Sequence, residues 1–99
     1  MALVVEVEPR ARREIHAAAE WWSLNRTAAP GAVAADISEA FELLVELPGL
    51  GTLVEGARDP ATLRWWLDRI RHRIDYRSRG RNLEVVAFWG GEREQGPSV

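Results

Sequence analysis

Two different apolar periods, met one after the other, fix the kind of fold open to this chain. Ile15, Ala18, Ala19 and Trp22 recur at i, i+3, i+4 and i+7, the spacing that lines one face of an α-helix. Val33, Ile37, Ala40, Phe41, Leu44 and Leu47 make a second such face. From residue 70 the period shortens to two. Ile70, His72, Ile74 and Tyr76 alternate with Arg71, Arg73, Asp75 and Arg77, as in a strand with one buried side. A chain of 99 residues is one domain's worth and buries one modest core. Helices and sheet must therefore share that core, which predicts a single α+β domain over residues 1–99.

The elements follow from local signals. Leu3-Val4-Val5-Glu6-Val7 is β-branched and predicts a first strand over 3–8. Pro9 suits a first helical position, so helix 1 spans 9–25 with Arg10, Arg13, Glu14 and Glu20 outward. Residues 25–31 break the pattern, and Pro30 is placed to open helix 2, over 30–47, whose outer stripe is Asp36, Glu39, Glu42 and Glu46. The short link between them predicts an antiparallel helical hairpin. Residues 48–62 hold repeated Gly and Pro and read as a loop, with room for a short strand at Thr52-Leu53-Val54. Strands are expected over 63–68, 70–77 and 83–89, with Ser78 to Asn82 as a hairpin turn around Gly80. The last run is apolar on both faces and should be internal. The expected architecture is a strand, then a two-helix hairpin packed on one face of a small, mostly antiparallel sheet formed by a C-terminal meander. The strand order stays open.

Charge is unevenly laid out. Residues 1–57 hold four Arg against nine acids, residues 58–81 eight Arg against three Asp, and residues 82–99 one Arg against three Glu. A net charge of −2 thus hides a basic segment suited to an anionic partner. There is no Lys, so no lysine base or Schiff base is available. There is no Cys either, which excludes disulfides and thiolate metal sites and fits a reducing cytoplasm. Two isolated histidines and scattered acids make no metal-ligand spacing, and no cofactor is expected. The N-terminus has no basic region before its short apolar run, and no stretch nears the roughly 18 apolar residues of a membrane span.

The succession of segments resembles the RelE/ParE family of toxins, its ParE branch more closely. The resemblance rests on Pro9 to Ile15, Ala19-Glu20-Trp21-Trp22, Asn25-Arg26 leading to Ala29-Pro30, and Leu47-Pro48-Gly49-Leu50-Gly51. It continues through Leu63-Arg64, then Arg73-Ile74-Asp75-Tyr76-Arg77, then Leu83 to Trp89 with Arg93 and Gly96-Pro97 after it. It covers nearly the whole chain in order. The resemblance implies a growth-inhibiting toxin of a type II toxin–antitoxin system, an activity tied to plasmid stabilization. It implies an antitoxin whose C-terminal segment folds over the sheet and its groove, giving a hetero-oligomer. ParE-like members poison DNA gyrase by binding; RelE-like members cleave mRNA on the ribosome. Relatives often carry His directly after the last strand, where this chain has Gly90, and an aromatic residue where His72 stands.

Weighed as chemistry, the residues favour a binder over an enzyme. A metal-free endoribonuclease needs a base, an acid and positive charge at the phosphorane. Arg64, Arg69, Arg71, Arg73 and Arg93 supply charge, but proton transfer falls to His72, Tyr76 or Glu92. His72 and Tyr76 share the apolar parity of their strand and read more simply as packed side chains. The catalytic candidates are thus Arg64, His72, Tyr76 and Arg93. The partner-binding candidates are Arg64, Trp65, Trp66, Arg69, Arg71, Arg73, Arg77 and Arg93. Two readings of the arginines stay open: pairing with Asp68, Asp75 and the acidic helix faces, or an anion-binding face. Trp65-Trp66 places one indole in the core and one on the outside, and exposed Trp beside Arg is typical of interface hot spots. An inactive relative is a third possibility, raised by Gly90-Gly91.

Overall fold

Glu8 and Pro9 set the first boundary. In the computed structural model, which describes residues 2–90, strand β1 (Val4–Val7) runs into helix α1 (Pro9–Asn25), and Pro9 sits in the first turn, where its missing N–H leaves no bond unmade. Helix α2 (Ala32–Glu46) follows, then a 3-10 turn (Pro48–Leu50) and strands β2 (Thr52–Leu53), β3 (Leu63–Leu67), β4 (His72–Arg79) and β5 (Asn82–Gly90). The five strands form one sheet in the order β1-β5-β4-β3-β2. β2 to β5 is the antiparallel meander, and β1 adds parallel to the far side of β5. The last strand is therefore internal, as its two apolar faces demand.

Beyond one-residue shifts at element ends, three boundaries differ from expectation. Helix α2 starts at Ala32 rather than residue 30, because Ala32 N–H donates back to Ala29 O (3.2 Å) and keeps Pro30 in the preceding turn, with Gly31 as cap. The third meander element starts at His72, not residue 70. Leu67 and His72 are the last paired residues, so residues 68–71 are a turn, closed by Arg71 N–H to Asp68 O (3.3 Å). The β4–β5 turn is tighter than expected. Arg79 already pairs with Asn82, and Gly80 takes a left-handed φ of 59°.

Both helices bury their apolar stripes on one side of the sheet. Ala11 of α1 and Val33, Ile37 and Leu44 of α2 meet Ile74, Leu83, Val85 and Phe88 from the strands. Burying a side chain of this size is worth about 1.5–3 kcal/mol. The register between β4 and β5 slips at one point: Asp75 faces Ala87 but Tyr76 faces Val85, leaving Val86 as an extra residue. That bulge lets Val85 and Phe88, three positions apart, both face the helices.

Tyr76 fixes the loop to the sheet. It is fully buried. Its hydroxyl donates to Pro48 O (2.7 Å) and accepts from Gly51 N–H (2.9 Å). A Cβ on Gly51 would come within 2.6 Å of that oxygen, so only glycine fits there. Burial pushes the phenol's pKa above its ordinary value, the Gly51 N–H opposing this. A folded-state pKa raised in this way gives stability that is full below about pH 10, the unfolded value, and is lost as pH rises through the folded one. Tyr76→Phe should lower stability by about 1–3 kcal/mol at neutral pH, since Gly51 N–H and Pro48 O lose their partner. It should also flatten the loss of stability above about pH 10, as urea titrations at pH 7 and 10.5 would show.

Candidate functional site

With one sheet face under the helices, strand register sets the side chains of the other face in rows. Trp66 of β3 lies opposite Arg73 of β4, and Arg73 lies opposite Trp89 of β5. The Arg73 guanidinium sits 4.6 Å from the Trp66 ring centre and 4.7 Å from that of Trp89. In the next row Arg64 faces Asp75, which faces Ala87. Asp75 is fully buried and accepts three hydrogen bonds: Arg64 Nε (2.7 Å), Arg64 Nη2 (3.1 Å) and Trp89 Nε1 (3.1 Å). The Arg64 guanidinium also lies 4.7 Å over Trp89. Trp89 is thus roofed by two guanidinium planes and is only 4% exposed, although it points away from the helices. Such contacts are worth about 0.5–2 kcal/mol each, more where water is excluded.

The broad arginine surface expected from the sequence contracts. Arg77 faces Glu84 across the strands and bonds it (2.7 Å), with Glu8 at 3.3 Å and Asp59 at 3.6 Å. The Glu84 hydrogen bond, with the charges of Glu84, Glu8 and Asp59, lifts the Arg77 pKa above its ordinary value against the opposing effect of burial. Arg79 pairs with Asp59 (2.9 Å). The Asp59 carboxyl is held below the usual range, first by Ala61 N–H and then by Arg79 and Arg77. Arg69 leaves the face altogether. It reaches α2, where Nε bonds Asp36 Oδ2 (3.1 Å) and that partner raises its pKa. Arg71 was expected beside Arg73 and Arg77 on one strand face. It lies instead in the β3–β4 turn with φ 53°, its guanidinium 5.7 Å from the Trp66 ring. The physical reason is the four-residue turn, whose last position needs a left-handed residue.

Two cations remain. Among the described residues no carboxylate pairs with Arg71 or Arg73, and Arg73 Nη1 is buried with no hydrogen-bond acceptor. Arg93 and Glu92 lie outside the described residues. The tryptophan pair divides as strand parity requires: Trp65 packs against the core cluster, and Trp66 carries Arg73. Among the described residues β2 pairs only with Leu63 and Arg64, and no strand lies beside Trp65 to Leu67 on that edge. Two recesses flank this edge. One of about 470 Å³ is lined by Leu50, Thr52, Arg64, Trp65, Trp66 and Arg73. The other, about 300 Å³, lies toward α2 between Glu39, Leu43, Trp65 and Leu67.

Of the proton-transfer candidates, His72 and Tyr76 are on the other side of the sheet. His72 is half-buried and stacks on Phe88 (4.8 Å between ring centres, 16° between planes), and its Nδ1 is 2.7 Å from Ile70 O. Tyr76 is enclosed against the 48–51 loop. Neither shares a surface with Arg64 and Arg73. Sequence reasoning did not select Trp89 or Asp75 as site residues. Alternation within β4 already put Asp75 on the face of Arg73, whereas Trp89 joins it only through the register of β5. Among the described residues no cluster of His, Asp and Glu could hold a metal ion, and no helix is long and apolar enough to cross a membrane.

No protein-family model and no curated protein matches the chain. Its fold is that of a chain in the solved structure "Chromosomal ParDE TA system from P. aeruginosa", with a TM-score of 0.70 at 16% identity over 90% of this chain and 96% of that one.

Proposed function

We propose that this chain is the toxin of a type II toxin–antitoxin pair, ParE-like in its action and silenced by an antitoxin segment lying along Trp66 and Arg73. The observation that carries the reading is Arg73: a guanidinium held between two indoles, with a buried N–H that has no acceptor among the described residues. A buried donor left unmade costs about 1–3 kcal/mol. An incoming carboxylate or carbonyl would recover that, and Arg and Trp are the side chains that dominate interface energetics. The recess beside the unpaired edge of β3 offers the antitoxin a backbone to pair with, and Arg71 adds a second unbalanced charge. The likeness of fold to a chain of a ParDE system supports the same assignment.

For the target we infer DNA gyrase, inhibited by binding and without chemistry on the toxin's part, in the cytoplasm that a cysteine-free chain fits. The placement of His72 and Tyr76 behind the sheet supports a binder. A second reading, a RelE-like ribosome-dependent mRNA endonuclease, is favoured by the same free Arg71 and Arg73, which suit phosphate, beside the stacking surface of Trp66. Expression from an inducible promoter should arrest growth, and co-expression of the cognate antitoxin should restore it. Purified protein should then stabilise gyrase–DNA cleavage complexes and leave ribosome-bound mRNA intact in toeprinting. Specific mRNA cuts with untouched gyrase would select the nuclease. Unimpaired growth on expression would remove the toxin assignment.

A further inference from the structure

The C-terminal end of α1 leans against the β3–β4 turn, and the two enclose a pocket of about 310 Å³. Trp21, Trp22 and Arg26 come from the helix end, and Arg69, Arg71 and His72 from the turn and the start of β4. Among the described residues no carboxylate lines it. Arg69 is balanced by Asp36. Arg26 and Arg71 have no carboxylate partner among the described residues. The described lining therefore carries net positive charge and attracts an anion.

It also offers ring surface. Trp21 is 49% exposed, and Trp22 meets it edge-on with ring centres 6.2 Å apart. Arg26 lies over both, 5.1 and 5.8 Å from their centres. Trp22 Nε1 is buried and has no acceptor among the described residues, an unusual state for an indole N–H. Gly90 adds no side chain, and a Cβ there would stand 3.5 Å from His72 Nε2. Finally, Arg71 holds a left-handed φ of 53°, a position where Gly or Asn is the ordinary choice. Backbone strain kept in a long cationic side chain points to use of that side chain.

We propose that this pocket binds a nucleotide. The base lies on Trp21, the phosphate sits between Arg26 and Arg71, and an acceptor of the nucleotide takes the Trp22 indole N–H. The volume is at the small end for ligand sites and suits a single nucleotide rather than a polymer segment. Arg71 also borders the Trp66 face, so the test reads the Trp21 and Trp22 indole signals and the Arg26 variant rather than growth inhibition.

The probes are adenosine monophosphate, adenosine and inorganic phosphate, added to the full-length 15N-labelled protein. Its five tryptophans give five indole N–H signals. Adenosine monophosphate should shift the Trp21 and Trp22 signals saturably, with a Kd of about 0.1–1 mM. Adenosine and phosphate should each bind at least about tenfold more weakly. Arg71→Gly removes the cation and relaxes the backbone. It should hold or raise the thermal midpoint while weakening adenosine monophosphate about tenfold. Arg26→Ser, on the exposed helix end, should weaken it similarly. Unmoved Trp21 and Trp22 signals would overturn the proposal. So would adenosine or phosphate matching the nucleotide, or wild-type affinity in either variant.

Discussion

Arg73→Ala should weaken binding of the cognate antitoxin by roughly 30- to 1000-fold, equivalent to about 2–4 kcal/mol, and relieve growth inhibition on expression. Arg73 lies between Trp66 and Trp89, so its plane is oriented before any partner arrives and little side-chain freedom is lost on docking. Its Nη1 lacks an acceptor, and a partner oxygen would fill that gap. Removing the side chain forfeits two ring contacts, but it also removes an unsatisfied buried donor. Fold stability should therefore change by only about 1 kcal/mol, a few degrees in Tm. Arg73→Lys keeps the charge and loses the stacked plane, so it should fall between wild type and alanine. Calorimetric titration with the antitoxin checks the series. Binding of Arg73→Ala within about threefold of wild type would remove the site from this face.

The second large effect concerns stability. Asp75→Asn should destabilise the domain by about 3–5 kcal/mol and lower Tm by roughly 12–25 °C. Asp75 is fully enclosed and accepts from two nitrogens of Arg64 and from the Trp89 indole. An amide of the same shape must turn an N–H toward at least one of those donors and leaves the Arg64 cation without a counter-charge. Against a typical total of about 5–15 kcal/mol for a domain, that loss is large. Adding Arg64→Met to Asp75→Asn removes the stranded cation and should restore part of the deficit, a coupling that a double-mutant cycle reads directly. A Tm shift under about 4 °C for Asp75→Asn would mean the carboxylate does not anchor the face.

The helices were legible because their signals are local. Pro9 opens α1 and the Ile15-to-Trp22 stripe faces the sheet, each within a turn or two of chain. The alternation of His72, Ile74 and Tyr76 against Arg73, Asp75 and Arg77 was legible for the same reason. What one strand's pattern does not contain is its neighbour's register. The row Trp66–Arg73–Trp89 and the capture of Arg64 by Asp75 exist only across three strands. The extra residue at Val86 is likewise invisible until β4 is laid beside β5. Arg71 was misplaced because a periodic run that continues through Ile70 and Arg71 conceals a turn, marked only by a backbone angle that Arg seldom adopts. The pairing of Arg69 with an acidic helix face was one of two open readings, and Asp36 decided it, whereas Arg77 pairs with Glu84, Glu8 and Asp59, none of them an acid that reading named.

Because β1 pairs with β5 and not with any nearer segment, the sheet cannot be completed during most of synthesis. Val4 waits for Asn82, and the two helices have little to cover until β4 and β5 leave the ribosome. A nascent chain cut short before β5 would expose apolar helix faces and carry no Trp89 to hold Arg73 in place. Interrupted translation therefore yields fragments for proteases, and only the finished polypeptide carries the complete Trp66–Arg73–Trp89 row.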